Sequence, residues 1–213
     1  MIRSKIKICG LSKIETLNFC IKNKVDYFGM IFYDKSPRFI NYKIAAELIN
    51  FAKNKSITPV GVFVNCEIKN LIEILKKINL KFIQLHGNEN NEYLKKIKKN
   101  IDVKIIKCLG IEKKKDFDLL KSFSFADYFL FDYKAKKNDL PGGNAKSFDW
   151  SLLNDLKIEK PWFISGGINI NNIKEIDEYV IPYGIDISSG VEDNPGIKNN
   201  EKIVSLSKFY DSN

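Results

Sequence analysis

The sequence is poor in several residue types that mark specialised protein classes. It contains 12 glycines, 6 prolines, two arginines and one histidine in 213 residues. So little glycine and proline excludes collagen-like and low-complexity chains, and 44% hydrophobic residues exclude a disordered one. No apolar run approaches the roughly 18 residues of a membrane span, and the first residues show no signal-peptide pattern. We therefore expect a cytoplasmic globular protein with no membrane partner.

Cysteine and histidine are too sparse and too widely spaced to indicate a metal site. The four cysteines are Cys9, Cys20, Cys66 and Cys108. They form no C-x-x-C pair, and none has metal-type spacing to His86. An even number of cysteines does not imply disulfides in a cytosolic protein. The sequence thus predicts free thiols and no bound metal.

The charge is basic but does not indicate a nucleic-acid partner. The chain has 35 Lys and Arg against 26 Asp and Glu, a net charge of +9. Only Arg3 and Arg38 are arginines, although arginine is the usual bidentate reader of bases and phosphates. The lysines are dispersed along the chain, so we interpret them as a solvated surface. A basic RNA-binding protein is the alternative, and it would need a clustered lysine face.

Short apolar runs alternate with helical patterns through the whole sequence. Runs rich in Ile, Val, Phe or Tyr predict eight strands, at Lys5–Gly10, Tyr27–Phe32, Pro59–Val64, Phe82–Gly87, Lys104–Gly110, Ala126–Asp132, Pro161–Gly167 and Gly184–Gly190. Apolar residues three and four apart predict helices near 13–24, 42–54, 71–78, 91–99, 114–124, 149–156, 171–179 and 203–210. Eight strand–helix units imply parallel strands joined by helical crossovers.

We therefore predict an α/β fold in which residues 1–213 form a single (β/α)8 TIM barrel with parallel strands. A length of 213 residues lies at the short end of the range for this fold. The alternative is an open, doubly wound sheet. That fold would favour a G-x-G-x-x-G turn after the first strand, which Gly10-Leu11-Ser12 does not supply.

Small residues follow the last two predicted strands, where barrels of this kind bind phosphate. Active sites of such barrels lie at the C-terminal ends of the strands. Glycines there let backbone N–H groups approach an anion closely. We predict that a phosphate group is bound by Gly166, Gly167, Ser188, Ser189 and Gly190. The alternative for the glycine pair is a tight turn with no ligand.

Cys9 and Asp132 end the first and sixth predicted strands. A thiol whose pKa is lowered by nearby positive charge can act as a base, and a carboxylate can be the partnering acid. Each residue alone has an ordinary explanation, as a small core residue or as a cap. Because the two strands are not neighbours, the side chains would face each other across the mouth. This placement predicts the acid–base pair that a proton-shuttling isomerase needs.

Further polar side chains lie at the same ends of the strands. Arg38 follows the second strand, and its planar guanidinium suits a carboxylate, with a surface salt bridge as the alternative. Other residues expected to contact substrate are Gln84, His86 and Asp186. His86 has an equally ordinary interpretation as a packed histidine. Cys108 ends the fifth strand and could line the pocket.

Motifs at the ends of seven predicted strands follow one another along nearly the whole chain. They are Lys7-Ile8-Cys9-Gly10-Leu11, Ser36-Pro37-Arg38, Val60-Gly61-Val62-Phe63-Val64-Asn65, Gln84-Leu85-His86-Gly87, Phe131-Asp132, Gly142-Gly143, Phe148-Asp149-Trp150, Gly166-Gly167, Asp186-Ile187-Ser188-Ser189-Gly190-Val191-Glu192 and Pro195-Gly196-Ile197-Lys198. In this order they resemble the phosphoribosylanthranilate isomerase family of tryptophan biosynthesis.

The resemblance implies an enzyme that works without a cofactor on a small phosphorylated substrate. The reaction would be the Amadori rearrangement of N-(5-phosphoribosyl)anthranilate to 1-(2-carboxyphenylamino)-1-deoxyribulose 5-phosphate. Asp132 would be the general acid, Cys9 the general base and Arg38 the residue that holds the anthranilate carboxylate. Gly142 and Gly143 would join the phosphate-binding glycines. We expect a monomer.

Two segments depart from the pattern of the family. Asn144-Ala145 stands where the family usually has Thr or Ser followed by Gly, which would alter how that loop closes over substrate. Asn199 replaces the usual Asp and can still cap the last helix. Two alternatives stay open. A different sugar-phosphate enzyme, such as indole-glycerol-phosphate synthase, would need catalytic lysines and an extra N-terminal segment. A non-catalytic barrel would bind a sugar phosphate without turning it over.

Overall fold

Eight parallel strands close into a barrel in the computed structural model, which describes residues 4–136 and 142–211, with side chains to residue 208. The strands are β1 (Lys5–Cys9), β2 (Tyr27–Ile31), β3 (Thr58–Phe63), β4 (Phe82–Leu85), β5 (Lys104–Ile111), β6 (Tyr128–Tyr133), β7 (Trp162–Ile164) and β8 (Gly184–Ile187). Each pairs with the next, and β8 pairs with β1 so that Lys7 lies beside Asp186. This closure confirms the (β/α)8 prediction over the open sheet.

Helices cover the outside of the barrel between successive strands. They are α1 (Ile14–Lys22), α2 (Tyr42–Ala52), α3 (Ile68–Ile78), α4 (Asn91–Asn100), α5 (Ile173–Tyr179) and α6 (Asn200–Asp211). Asparagines begin two of them, because Asn41 accepts the N–H groups of Lys43 and Ile44, and Asn90 accepts that of Tyr93. Among the described residues, no helix is both long and apolar enough to cross a membrane.

Two predicted helices, after β5 and β6, form 3₁₀ turns. These turns are Lys114–Ser122 and Trp150–Leu153. Local side-chain bonds favour the tighter geometry, since the Asp116 carboxylate accepts the N–H groups of Glu112 and Lys113. The eighth strand also ends earlier than expected. A 3₁₀ turn, Ser189–Val191, and a small hairpin of β9 (Glu192–Asn194) and β10 (Ile197–Lys198) follow it.

The core has two layers that follow from the alternation of side chains along each strand. A large cluster lies between the strands and the helices, with the buried stripe Leu71, Leu75 and Ile78 of α3 as one part of it. A smaller one fills the inside of the barrel with Tyr27, Val60, Ile106, Cys108, Leu130 and Phe163. Residues two apart on a strand share a face. Asp132 therefore continues the inward row that contains Leu130, at the open end of the barrel.

Candidate active site

The C-terminal ends of the strands surround a cavity of about 50 Å³ at the mouth of the barrel. Of the residues that the sequence predicts as site residues, its lining contains Cys9, Arg38, Gln84, His86, Asp132, Gly142, Gly143, Asp186 and Ser188. A second cavity of about 540 Å³ lies beside it, towards β4, β5 and β6. His86 and Asp132 line both cavities. The fold thus brings together predicted side chains from the ends of four strands, β1, β4, β6 and β8, and from the β2–α2 loop.

Cys9 is buried at the end of β1, directly above an internal ion pair. A Cβ atom on Gly29 would lie 2.6 Å from the Cys9 Sγ, so the thiol needs glycine at this point of β2. Two residues earlier, Lys7 donates to Asp186 Oδ1 over 2.9 Å, and both side chains are buried. Burial lowers the pKa of Lys7, but the Asp186 carboxylate, and Cys9 in its thiolate form, have the larger effect and raise that pKa above its ordinary value.

The charges around Cys9 oppose the effect of its burial. Burial raises the pKa of the Cys9 thiol above its ordinary value, and the Asp186 carboxylate adds to this. The positive charges of Lys7, Lys198 and His86 lower it. In the pocket without substrate the neutral thiol is therefore favoured. The three cations nevertheless make the Cys9 thiolate more stable than it would be at an equally buried position without nearby positive charge.

Asp132 forms a hydrogen-bonded chain with two residues of the β4 end. Its Oδ2 lies 3.2 Å from His86 Nε2, and His86 Nδ1 lies 2.7 Å from the Gln84 amide. The Asp132 Oδ1 accepts the backbone N–H of Tyr133 over 2.7 Å. These bonds fix the Asp132 carboxylate with one oxygen on His86 and the other on the backbone N–H of the next residue, Tyr133.

His86 favours its protonated form in this chain. Burial lowers the pKa of His86, but the neighbouring Cys108 and Asp132 raise it well above the ordinary value. A protonated imidazole donates from both ring nitrogens, so Nδ1–H requires an acceptor. The buried Gln84 Oε1 has no partner among the described residues while the amide nitrogen faces Nδ1. Reversing the Gln84 amide places its Oε1 against the Nδ1–H of His86, so that this oxygen and this N–H become hydrogen-bond partners.

Arg38 lies inside the mouth rather than on the surface, with 7% of its area exposed. Its Nε and Nη2 donate to the two oxygens of Glu192 over 2.9 and 2.7 Å. Lys198 donates to the same Glu192 carboxylate over 2.7 Å. Burial raises the pKa of Glu192, but Arg38 and Lys198 have the larger effect, so that this pKa lies below its ordinary value. Two cations thus share one carboxylate, and one positive charge is left uncompensated.

The glycine-rich ends of β7 and β8 are in direct contact. A Cβ atom on Gly190 would lie 1.9 Å from the Ile168 carbonyl oxygen, so only glycine fits between the two loops. Gly166 and Gly167 take positive φ angles of 94° and 62°. Over the described ranges, the backbone N–H groups of Gly167, Ser189 and Gly190 donate to no protein acceptor. These N–H groups lie outside the lining of the 50 Å³ cavity, and phosphate binding by them stays a prediction.

Gly142 and Gly143, in the loop after β6, cover the other half of the cavity. A Cβ atom on Gly142 would lie 3.0 Å from His86 Nε2, and one on Gly143 would lie 2.6 Å from Arg38 Nη1. Glycine is therefore needed at both positions beside His86 and Arg38, and the phosphate-binding role expected from the sequence stays a prediction. Ala145 takes a left-handed φ of 53° at the position where the related family has glycine. The departure at Asn199 has little effect, because its Oδ1 accepts the Lys202 N–H and caps α6.

Several charged residues of the site were not found by sequence reasoning. Lys7 could have been found, because it lies two residues before Cys9 and therefore on the same inward face. Glu192 and Lys198 were recognised only as members of motifs. The buried pair of Lys107 and Glu89, 2.9 Å apart, gave no signal. It connects the ends of three strands, since Lys107 also donates to the Gly87 carbonyl and Glu89 accepts the N–H of Asn65.

Comparison with known proteins adds an independent observation. Residues 6–208 match the family model described as N-(5'phosphoribosyl)anthranilate (PRA) isomerase. The chain is 37% identical over 206 residues to N-(5'-phosphoribosyl)anthranilate isomerase of Paramagnetospirillum magneticum, covering 96% of this chain and 95% of the relative. It is 38% identical over 213 residues to the Rhizobium johnstonii protein of the same name, covering 99% and 94%.

Solved structures agree with the sequence comparison. The phosphoribosyl anthranilate isomerase of Thermotoga maritima superposes with a TM-score of 0.88 at 29% identity, over 99% of this chain and all of that one. A further isomerase structure contains reduced 1-(o-carboxyphenylamino)-1-deoxyribulose 5-phosphate and has a TM-score of 0.83 at 28% identity, with 99% and 100% covered. The resemblance of the motifs is thereby confirmed. The chain belongs to the N-(5'-phosphoribosyl)anthranilate isomerase family.

Proposed function

We propose that this protein is an isomerase of tryptophan biosynthesis that converts N-(5-phosphoribosyl)anthranilate into 1-(2-carboxyphenylamino)-1-deoxyribulose 5-phosphate, with Asp132 as general acid and Cys9 as general base. The observation that carries the assignment of residues is the shared cavity, whose lining includes both side chains and Arg38. The membership of the family and the ligand of the solved relative support the same substrate class.

Asp132 acts first, by opening the ribose ring. The C1′–O4′ bond breaks, its electron pair moves to the ring oxygen, and that oxygen takes a proton from Asp132, leaving an iminium at C1′. The hydrogen bond to His86 supplies the proton, because the protonated imidazole favoured in this pocket faces the Asp132 Oδ2. The His86–Asp132 pair therefore holds one transferable proton at the mouth of the barrel.

Cys9 acts second, by removing the proton from C2′. The C–H electron pair forms a C1′–C2′ double bond and neutralises the iminium, which gives an enolamine that tautomerises to the ketone. The reaction needs the thiolate, which Lys7 stabilises from below. The thiol form favoured by burial implies that only part of the enzyme carries the base at neutral pH. No metal or cofactor is needed to balance this sequence of steps.

The two anionic groups of the substrate match two cationic or N–H-rich places in the mouth. The anthranilate carboxylate fits the Arg38 end, where Arg38 and Lys198 together exceed the charge of Glu192. Two of the five guanidinium N–H groups are used by Glu192, so others remain for a ligand. The phosphate fits beside the loops after β7 and β8, where the backbone N–H groups of Gly167 and Gly190 donate to no acceptor among the described residues.

A fluorescence assay that follows the anthranilate group tests the acid–base assignment. We expect Cys9→Ser and Asp132→Asn each to lower kcat by about 10²–10⁴-fold, with an unchanged far-ultraviolet circular dichroism spectrum. Cys66→Ser and Asp102→Asn are matched controls, because these residues lie outside both cavities, and their activity should equal that of the parent. Full activity of either site variant refutes the assignment.

Substitution of Arg38 separates binding from chemistry. Arg38→Met leaves Glu192 paired with Lys198, so the buried carboxylate keeps a cation. We expect the KM for substrate to rise at least tenfold with a smaller change in kcat. An unchanged KM is incompatible with a role in holding the carboxylate.

We also propose that residues 1–213 act as one barrel domain, as a monomer, in the cytoplasm. The proposed acid, base and carboxylate-binding residue, Asp132, Cys9 and Arg38, all belong to one chain and line one cavity, which supports a site that needs no residue of a partner subunit. All four cysteines are free thiols, which is typical of proteins in reducing compartments. Light scattering of the purified protein tests the monomer, and a mass of twice 24.6 kDa excludes it.

A further inference from the structure

Cys108 places a sulfur atom, a third kind of metal ligand, beside the nitrogen and oxygen ligands of the His86–Asp132 pair. The Cys108 Sγ, a ring nitrogen of His86 and a carboxylate oxygen of Asp132 all lie within 4.8 Å of one another. They belong to three neighbouring strands, with Cys108 inside β5, Asp132 in β6 and His86 directly after β4, and Cys108 and Asp132 are buried. The proposed isomerisation assigns Cys108 no step. The spacing of these residues in the sequence gave no indication that they meet.

The geometry of the cluster suits a tetrahedral cation. With Zn–N and Zn–O distances of about 2.0–2.2 Å, neighbouring nitrogen and oxygen ligands are about 3.3 Å apart. His86 Nε2 and Asp132 Oδ2 are 3.2 Å apart. The three residues line the 540 Å³ cavity, which leaves a direction open for a fourth ligand such as water. The His86–Asp132 distance and the open direction fit a three-ligand zinc site, and the Cys108 Sγ, within 4.8 Å of both atoms, would complete it by moving to the roughly 2.3 Å of a Zn–S bond.

Gln84 supplies the orienting contact that metal-binding histidines usually have. Imidazoles that bind a metal donate their other N–H to a fixed acceptor, which sets the tautomer. The Gln84 side chain is 1% exposed, and its Oε1 has no partner among the described residues. With the amide reversed, the Gln84 Oε1 accepts the Nδ1–H of His86 over the 2.7 Å contact. The Nε2 of His86 is then the atom left to bind a metal.

We propose that His86, Cys108 and Asp132 form a binding site for a thiophilic divalent cation of the zinc class, and that its occupation inhibits the isomerase. Binding displaces the thiol proton of Cys108 and the Nε2 proton of His86 to the solvent. The cation takes the Asp132 carboxylate as a ligand and removes His86 as its proton source. The binding follows from the cluster alone, whereas the inhibition rests on the proposed function of Asp132.

Two measurements on the full chain test the binding of the cation and the inhibition of the isomerase separately. Protein freed of metal with EDTA is titrated with Co²⁺, and a thiolate-to-cobalt charge-transfer band in the near ultraviolet reports a Co–S bond. The isomerase assay is then run over a Zn²⁺ titration, and each variant is compared with its own metal-free activity. We expect the parent to lose activity in step with occupancy and to recover it when EDTA is added.

Cys108→Ala is the decisive variant, and Cys9→Ser and Cys66→Ser are matched cysteine controls. We expect Cys108→Ala to lose the charge-transfer band and to raise the Zn²⁺ concentration for half inhibition at least tenfold. Cys9→Ser should keep the band, and Cys66→Ser should keep both the band and the inhibition. An unchanged band or unchanged inhibition in Cys108→Ala overturns the proposal. An inactive metal-free parent would instead contradict the proposed function, and the cobalt band would still decide the site.

Discussion

Replacing Lys7 by methionine tests how the barrel interior supports the proposed base. Lys7 has no exposed surface, and its ammonium group lies 2.9 Å from the Asp186 carboxylate, which is also buried. Methionine is similar in volume and removes the charge, so the main change is electrostatic. Asp186 is then a buried carboxylate without its cation, and Cys9 loses the nearest positive charge that lowers its thiol pKa.

The expected loss of stability is large because only one partner is removed. Breaking a buried ion pair in this way costs about 3–5 kcal/mol, which is a substantial part of a total free energy of unfolding of about 5–15 kcal/mol. For a chain of this length the loss lowers Tm by roughly 10 °C. The double variant Lys7→Met with Asp186→Asn has no unpaired charge. Its cost reduces to unmet hydrogen bonds, about 1–3 kcal/mol.

Urea unfolding of the two single variants and the double variant measures the coupling. We expect the double variant to be more stable than Lys7→Met alone. A double variant whose loss equals the sum of the two single losses would refute the reasoning, because independent sites add.

A pH profile of Lys7→Met separates the effect on Cys9 from a general loss of structure. The base must be deprotonated, so kcat/KM rises with pH through the thiol pKa. Without Lys7 that pKa is higher, so the rising limb moves to higher pH, and each unit costs a tenfold loss of activity at neutral pH. Activity that is low at every pH would indicate structural damage alone.

Three further outcomes follow from single positions. Ala145→Gly should raise the free energy of unfolding by about 1 kcal/mol, since it relieves a left-handed φ of 53°; urea unfolding checks this, and an unchanged midpoint contradicts it. Gly190→Ala should raise the KM for the phosphorylated substrate at least tenfold, because its Cβ would meet the Ile168 carbonyl at 1.9 Å; a parent-like KM would remove the two loops from phosphate binding. The folded-state pKa of His86 is raised, so its protonation stabilises the fold below about pH 6.5, and this contribution is lost as pH rises through the folded pKa. The difference in unfolding free energy between the parent and His86→Gln should therefore shrink with rising pH, and a constant difference would exclude the linkage.

Much of the fold was predictable because a parallel barrel repeats one pattern eight times. Most strands are short, largely apolar runs buried on both faces, so runs such as Val60-Gly61-Val62-Phe63 stand out from the polar connections. The C-terminal ends then define the mouth, and this placed Cys9 and Asp132 in one cavity before any contact was known.

The connections and the charge pairs were less predictable, since they depend on contacts between distant residues. The type of the turn after β5 depends on the bonds of one carboxylate, Asp116, and apolar periodicity does not report it. Glu192 meets Arg38 across 154 positions of sequence, and Cys108 meets His86 because the β4–β5 register pairs Leu85 with Lys107. The spacing of residues along the sequence does not indicate such long-range contacts.

The buried charges described above occur in interacting sets, and this restricts how the interior can be altered. Lys7 belongs with Asp186, Lys107 belongs with Glu89, and Arg38 shares Glu192 with a second cation. A redesign that replaces only one charged residue of a set would leave its partner as an unpaired charge in a buried environment of low dielectric constant. Redesign of the mouth for a new sugar phosphate should therefore exchange each set as a unit and leave the other sets unchanged.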